Sequence, residues 1–246
     1  MSNSSLVNYT KISPNKTSPR NHAIDTITIH CMAGDLSVET CGNVFAPTSR
    51  QASSNYGIGS DGRIGMYVEE KDRSWCSSSA SNDNRAITIE VANDGGESTG
   101  WHVSDKAYNA LINLVTDICK RNGIKKLLWK GDKSLIGQVD KQNMTVHRWF
   151  AAKSCPGDYL YNRHSDIANK VNAKLGATTE QPSVSGSYLV RVTADALNIR
   201  SGPGTSYSIT GSIKDQGVYT IVQTSGNWGK LKSGAGWICL DYTTRV

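Results

Sequence analysis

Residues 25–30 read Asp-Thr-Ile-Thr-Ile-His, and residues 86–92 read Ala-Ile-Thr-Ile-Glu-Val-Ala. In both stretches isoleucine alternates with polar residues, and this period of two is typical of a strand with one apolar and one polar face. The polar series includes His30 in the first stretch and Glu90 in the second. We therefore predict two strands of a central sheet, with His30 at a strand end where its side chain can point into a cleft.

The segments around these strands predict helices and a hairpin. Residues 37–45 are expected to form a short helix with serine as its N-cap, and residues 55–68 a hairpin, because Asp-Gly favours a tight turn. Residues 104–122 carry apolar side chains on one helical stripe and precede a glycine, which predicts a long helix. We expect a short buried strand at 127–129 and a last helix at 158–175. Strands interleaved with packing helices indicate an α/β fold with a central mixed sheet.

A change of composition divides the 246-residue chain. Residues 178–187 are small and polar, with proline and glycine, as in linkers. After them no helical period appears, and short strands alternate with glycine-rich turns. We predict a main domain over 1–177, a linker over 178–187 and a small all-β barrel over 188–246.

The net charge of +6 suits an anionic partner. A cell wall with acidic polymers and a nucleic acid both fit the charge alone, but the sequence has no run of five basic residues, so a nucleic-acid partner is not expected. The N-terminus lacks the apolar core of a signal peptide, and no apolar run reaches membrane-spanning length. We expect synthesis in the cytoplasm without a signal peptide and no membrane insertion; the oligomeric state stays open.

Candidate metal ligands lie in the stretch His147-Arg-Trp-Phe-Ala-Ala-Lys153-Ser-Cys155-Pro-Gly and at His30 far upstream. Zinc takes nitrogen and sulfur ligands in tetrahedral geometry, and catalytic sites supply three protein ligands and leave the fourth position for water. The six cysteines have no regular spacing, so we expect one ligand and otherwise buried small side chains without disulfides. His30, His147 and Cys155 therefore predict a Zn²⁺ site of the catalytic kind.

This pattern, with its flanking sequence, resembles the type-2 N-acetylmuramoyl-L-alanine amidases, the family of bacteriophage lysozyme-like amidases and peptidoglycan recognition proteins. The metal set of that family is two histidines and a cysteine or aspartate, which His30, His147 and Cys155 match. The resemblance implies a zinc-dependent peptidoglycan hydrolase. It would cleave the amide bond between N-acetylmuramic acid and the L-alanine of the stem peptide.

Three further residues are expected to act beside the metal. Glu90 matches the glutamate of the family pattern Ser-Ile-Gly-Ile-Glu and is expected as the general acid/base. Lys153, two residues before Cys155, can stabilise the developing oxyanion. Tyr56 matches a tyrosine before the hairpin and is expected to orient the water or the carbonyl by its hydroxyl. Whether Glu90 or Tyr56 is the main acid/base stays open.

The C-terminal region has a resemblance of its own. Leu197-Asn-Ile-Arg-Ser-Gly-Pro-Gly204, with the Gly-Asn-Trp at 226–228 and the Gly-Trp at 236–237, resembles a bacterial SH3-like domain. Such modules tether cell-wall enzymes to peptidoglycan or its attached polymers. The two resemblances together imply a phage or prophage endolysin, with an amidase domain at 1–177 and a wall-binding domain at 188–246. It would act at the cell wall after release from the cytoplasm.

Three alternatives remain. A bacterial autolysin would share the activity. An NlpC-type cysteine peptidase has its cysteine before its histidine, whereas Cys155 follows both candidate histidines. A non-catalytic recognition protein typically lacks the cysteine ligand. One departure from the family is Trp75-Cys76, where many relatives carry Trp-His, so a substrate-contacting histidine is missing. Cys31 is expected to face away from the metal by strand alternation.

Overall fold

The computed structural model describes residues 2–176, 187–205, 207–225 and 227–246. The chain divides into two compact units, Met1–Thr178 and Thr179–Val246. Apart from its last residue, the predicted linker at 178–187 lies outside the described residues. Within the described ranges, none of the helices combines the length and the apolar character of a membrane span.

The first unit is built on a mixed six-stranded sheet beside a two-stranded ribbon. Its strands are β1 (Tyr9–Thr10), β2 (Lys16–Thr17), β3 (Thr26–Cys31), β4 (Tyr56–Ile58), β5 (Ile64–Met66), β6 (Arg73–Ser74), β7 (Ala86–Val91) and β8 (Met144–Val146). The strand order of the large sheet is β1-β5-β4-β7-β3-β8, and β2 pairs with β6. The four strands from β4 to β8 in this order run parallel, while β5 is antiparallel to β4. The predicted α/β fold with a central mixed sheet is confirmed.

Helices pack around this sheet. They are α1 (Val38–Phe45), α2 (Ala80–Arg85), α3 (Asp105–Asn122), α4 (Gly157–Tyr161) and α5 (His164–Leu175), with short 3-10 turns at Thr48–Arg50, Glu97–Thr99, Lys133–Leu135 and His147–Trp149. The expected N-cap of α3 is present, since Ser104 Oγ accepts from the N–H of Ala107. Gly123 ends α3 with φ +70°, in the left-handed region that suits glycine. The single helix expected at the end of this unit is interrupted between α4 and α5.

The strand predicted at 127–129 is absent. The backbone N–H groups of Leu127 and Leu128 donate to the side-chain carbonyls of Asn172 and Asn143, each at 2.7 Å. These two amide side chains satisfy the backbone polar groups in place of a neighbouring strand. Of the three residues Leu127 is buried, as predicted, whereas Leu128 and Trp129 are half-buried, and the hydrogen-bond partners of this segment lie far away in the sequence.

The central strands β3 and β7 have two chemically different faces. Their four isoleucines are fully buried and pack, together with apolar side chains of α3 and α5, into the main core. Burial of one such side chain stabilises the fold by about 1.5–3 kcal/mol. On the opposite face, Thr28 and Thr88 are buried within a network of side-chain hydrogen bonds. The same face carries His30 and Glu90, which are register partners.

The described residues of the second unit form an antiparallel sheet. Its strands are β9 (Tyr188–Val192), β10 (Leu197–Arg200), β11 (Ile209–Ile213), β12 (Val218–Ser225), β13 (Trp228–Leu231), β14 (Trp237–Cys239) and β15 (Thr243–Arg245), with a 3-10 turn at Leu240–Tyr242. Their order is β11-β10-β14-β13-β12-β9-β15. Aliphatic side chains fill a small separate core: Val190, Val192, Leu197, Ile213, Ile221, Leu231 and Ile238. The all-β character predicted for this region is confirmed.

Candidate metal centre and cleft

His30 lies near the end of β3, and its side chain is fully buried. β8 pairs in parallel with β3 up to the Ile29–Val146 pair, so the next residue, His147, comes to lie beside His30. The centroids of the two imidazole rings are 5.0 Å apart. Parallel pairing of two segments that are distant in sequence therefore brings both histidines to one end of the sheet.

Cys155 completes this group. Its Sγ lies 3.4 Å from His30 Nδ1, and the backbone N–H of Cys31 donates to the same sulfur at 3.4 Å. The ligand atoms of His30, His147 and Cys155 all lie within 4.8 Å of one another. Ligand atoms of a tetrahedral zinc are about 3.3–3.6 Å apart, given Zn–N of about 2.0 Å and Zn–S of about 2.3 Å. The set fits a zinc ion after small adjustments.

Burial favours the neutral imidazole, which is the form that binds metal. Burial lowers the pKa of His30 to about 3, and the charge of His147 adds to the effect. Burial also lowers the pKa of His147, followed by the charge of Lys153. The pKa of the Cys155 thiol is raised, first by its hydrogen bond with the Cys31 side chain and then by burial. A cation between these groups would stabilise the thiolate that the surroundings otherwise disfavour.

Glu90 lies on β7 in register with His30, and its Oε1 is 4.0 Å from His30 Nδ1. Burial raises the pKa of Glu90 to about 8, and the charge of Cys31 adds to this rise. A carboxyl group whose pKa is near neutrality can accept a proton and return it within one reaction cycle. The position and the pKa of Glu90 are therefore suited to a general acid/base.

Lys153 is exposed at a cleft of about 450 Å³ beside His147. Cationic, aromatic and hydroxyl side chains contribute to the cleft wall, among them Arg50, Arg73, Trp75, Ser78, His147 and Lys153. Ser78 Oγ lies 3.2 Å from His147 Nε2, and the Ser78 backbone adopts a φ of +62°. The candidate ligand and the candidate oxyanion stabiliser thus border one polar cleft.

The structure contradicts the role predicted for Tyr56. Tyr56 pairs in register with Ile89, so its side chain shares the apolar face of the sheet and lies opposite Glu90. It is fully buried, and its hydroxyl donates to Glu70 Oε1 at 2.7 Å and accepts from the N–H of Ser4 at 3.0 Å. Tyr56 cannot orient a water or a carbonyl in the cleft, which leaves Glu90 as the candidate acid/base.

Sequence reasoning missed two cysteines of this site. Cys76 Sγ lies 3.8 Å from Glu90 Oε1, because the loop after β6 folds against the end of the sheet. Cys31 packs against the main apolar core, as strand alternation predicted, but its thiol also interacts with Cys155. The only sequence signal for Cys76 was its departure from the Trp-His pattern. Both contacts depend on loops whose path alternation within a strand does not determine.

Comparison with known proteins agrees with this architecture. A family model described as N-acetylmuramoyl-L-alanine amidase matches residues 20–158, and one described as bacterial SH3 domain matches residues 195–243. YrvJ of Bacillus subtilis, named as an N-acetylmuramoyl-L-alanine amidase, is 40% identical over 45 residues, which are 18% of this chain and 9% of YrvJ. The matched part is therefore far shorter than the curated relative.

Two solved structures share the fold of the first unit. A mutant of PlyL is 14% identical, with 67% of this chain and 98% of that chain covered and a TM-score of 0.50. A mutant endolysin from Bacillus subtilis is 15% identical, with 68% and 99% covered and a TM-score of 0.50. At these identities the likeness concerns the fold alone.

Proposed function

We propose that this chain, which belongs to the N-acetylmuramoyl-L-alanine amidase family, is a zinc-dependent peptidoglycan hydrolase. It cleaves the amide bond between N-acetylmuramic acid and the L-alanine of the stem peptide. The observation that carries the proposal is the convergence of His30, His147 and Cys155 within 4.8 Å, with Glu90 beside them. This donor set has the nitrogen and sulfur chemistry of a catalytic zinc site with three protein ligands.

Each residue has a distinct task in this proposal. His30, His147 and Cys155 would hold the zinc ion, which when bound lowers the pKa of water and polarises the scissile carbonyl. Glu90 accepts a proton from the attacking water on its carboxylate and donates it to the leaving amine nitrogen. Lys153 stabilises the negative charge that develops on the carbonyl oxygen.

Digestion of purified cell walls tests the reaction. We expect new L-alanine amino termini without new reducing sugar ends, since an amidase leaves the glycan strands intact. A metal chelator should abolish the release, and added zinc should restore it. New reducing ends, or full activity of the metal-free protein, would contradict the proposal.

One contact favours a second candidate, a cysteine peptidase of the NlpC type, because Cys155 Sγ lies within reach of His30 Nδ1. A nucleophilic cysteine needs a thiolate, whereas the pKa of the Cys155 thiol is raised. Treating the zinc-loaded enzyme with a chelator or with a thiol alkylator separates the two. The amidase loses activity to the chelator, and the peptidase loses it to the alkylator alone.

We further infer a division of labour, with catalysis in residues 1–177, a linker at 178–187 and binding of peptidoglycan or its attached polymers in residues 188–246. The SH3 match and the separate core of the second unit support it. An endolysin made in the cytoplasm of a bacterial host and released to the wall fits this organisation, and an autolysin would show the same activity.

A chain that ends at Gly176 tests this division. It should still cleave soluble muropeptides but weaken against whole walls, because tethering raises the effective concentration of enzyme at an insoluble substrate. The segment 188–246 should sediment with purified walls and release nothing. If that segment stays in the supernatant while the shortened enzyme lyses walls at the full rate, the wall-binding assignment is wrong.

A further inference from the structure

A second set of possible metal ligands shares His30 with the first. His30, Cys76 and Glu90 offer a nitrogen, a sulfur and an oxygen that all lie within 4.8 Å of one another. Cys76 Sγ is 3.8 Å from Glu90 Oε1, and the same oxygen is 4.0 Å from His30 Nδ1. For one tetrahedral zinc these two separations would be about 3.3–3.5 Å, so each would have to shorten by about 0.3–0.7 Å.

Two atoms of this set are buried without a partner. Glu90 Oε2 and His30 Nε2 make no hydrogen bond to the described part of the chain. A buried polar atom left unpaired costs roughly 1–3 kcal/mol, so an ordered fold normally supplies it with a partner. The Cys76 thiol shares the difficulty, since burial and then the charge of Glu90 raise its pKa. A bound cation would relieve the Glu90 carboxylate and the Cys76 thiol, whereas His30 Nε2 would stay unpaired because the contacts of this set run through His30 Nδ1.

The loop that carries Cys76 is held in place by hydrogen bonds to the buried side chain of Asp83. Asp83, only 2% exposed, accepts from the backbone N–H groups of Cys76 at 2.9 Å and Ser77 at 3.1 Å, and from the Ser77 hydroxyl at 2.6 Å. Such hydrogen bonds fix the direction of a potential ligand before the metal arrives. The hydrogen bonds of this loop therefore place the Cys76 thiol near Glu90 before a metal binds.

We propose that His30, Cys76 and Glu90 form a second, overlapping metal position for a thiophilic divalent ion such as Zn²⁺, Co²⁺ or Cd²⁺. The inference rests on the proposed function, because the position shares His30 with the proposed zinc site. In both sets the short contacts run through His30 Nδ1, so one ion occupies one position at a time. An ion in the second position takes the Glu90 carboxylate as a ligand. Glu90 then cannot accept a proton, and this form of the protein does not hydrolyse its substrate.

Cobalt binding to the full-length chain tests the proposal, with a readout that does not depend on activity. Co²⁺ bound to a thiolate gives a near-ultraviolet charge-transfer band. Cys155→Ser removes the sulfur of the first set and leaves the second intact, so it should still bind about one Co²⁺ per chain and show the band. Adding Cys76→Ser should abolish the band and weaken cobalt binding at least tenfold. Adding Cys31→Ser instead is the matched control at another nearby thiol. It should leave the intensity of the band and the affinity for cobalt within twofold of Cys155→Ser.

Three results would each overturn the second position. The band could be absent in Cys155→Ser, it could survive in Cys155→Ser/Cys76→Ser, or it could be lost in the Cys31 control. If Cys155→Ser does not fold, His147→Ala replaces it, and Cys76→Ser but not Cys31→Ser should then weaken cobalt binding at least tenfold. Equal effects of the two substitutions in that background also overturn the proposal. Failure of the proposed function looks different, because purified walls would then release no L-alanine amino termini, whatever the cobalt result.

Discussion

The two faces of strands β3 and β7 are built from the same alternating sequence and have opposite tasks. One face carries isoleucines that are fully buried against α3 and α5. The other carries threonines in a buried hydrogen-bond network and, at its end, His30 and Glu90. Apolar burial stabilises the fold, whereas desolvation of the His30 imidazole and the Glu90 carboxyl disfavours their charged forms. Substitutions on the polar face should therefore impair metal binding and hydrolysis, and substitutions on the apolar face should lower stability.

The largest effect is expected on the polar side. His147→Ala removes a proposed zinc ligand, so zinc binding should be lost and amide hydrolysis should fall by about 10³-fold or more, since the metal supplies several kcal/mol of transition-state stabilisation. Zinc content and release of L-alanine amino termini measure the two effects. The control is His102→Ala, which removes an exposed histidine paired with Asp94. Equal losses of zinc and of hydrolysis rate in His147→Ala and His102→Ala would contradict the assignment of His147 as a metal ligand.

On the apolar side, Ile89→Ala should lower the free energy of unfolding by about 2–5 kcal/mol, because it leaves a cavity in a fully buried position. Urea unfolding measures the change. The protein that remains folded should bind zinc in the same amount as the unmodified chain, for which we expect one zinc per chain. Ile89→Val, which removes a single methyl group, should cost about 0.5–1.5 kcal/mol. A loss of zinc from folded Ile89→Ala would show that the two faces are not independent.

Within the polar side, Glu90→Gln and Lys153→Ala should retain zinc yet lose rate by about 10²-fold, the scale for removing a general acid/base or an oxyanion donor. Measuring the zinc content together with the rate distinguishes the loss of a catalytic group from the loss of a metal ligand. Glu97→Gln, at an exposed glutamate, should be near wild type in both measurements. Retained rate in Glu90→Gln would remove Glu90 from the mechanism.

The buried carboxyl also makes the stability of the metal-free chain depend on pH. Burial raises the pKa of Glu90 from 4.5 to about 8, so between these values the folded state holds a proton that the unfolded state has released. The Glu90 contribution to stability therefore falls as the pH rises from about 5 to about 8. The difference in unfolding free energy between wild type and Glu90→Gln should shift by more than about 1 kcal/mol over this range. A constant difference would show that the carboxyl is not destabilised by burial.

The smallest effect is expected for Tyr56→Phe. It removes the hydrogen bond to buried Glu70 and should cost about 1–2 kcal/mol of stability. Its rate should stay within about twofold of wild type, because the tyrosine lies on the apolar face. A rate loss near that of Glu90→Gln would return Tyr56 to the mechanism.

Much of the fold was accessible from local pattern. Alternation predicted β3 and β7, and the serine and glycine flanking 105–122 predicted where α3 begins and ends. The strand predicted at 127–129 is absent because the backbone N–H groups of Leu127 and Leu128 donate to the side chains of Asn172 and Asn143, which no local rule anticipates.

At the site, the sequence by itself determined which residues have the chemistry for a metal and for proton transfer, because imidazole, thiol and carboxyl groups bring their reactivity with them. Tertiary structure decided which of these groups meet. The register of β4 against β7 turned Tyr56 to the core, since a shift by one residue would have reversed its face. The hydrogen bonds of Asp83 brought Cys76 to Glu90, and the pairing of β3 with β8 brought His147 to His30. Apart from the local Asp83–Cys76 bond, these contacts join residues far apart in the chain, so their geometry arises only when the whole sheet and its loops have packed.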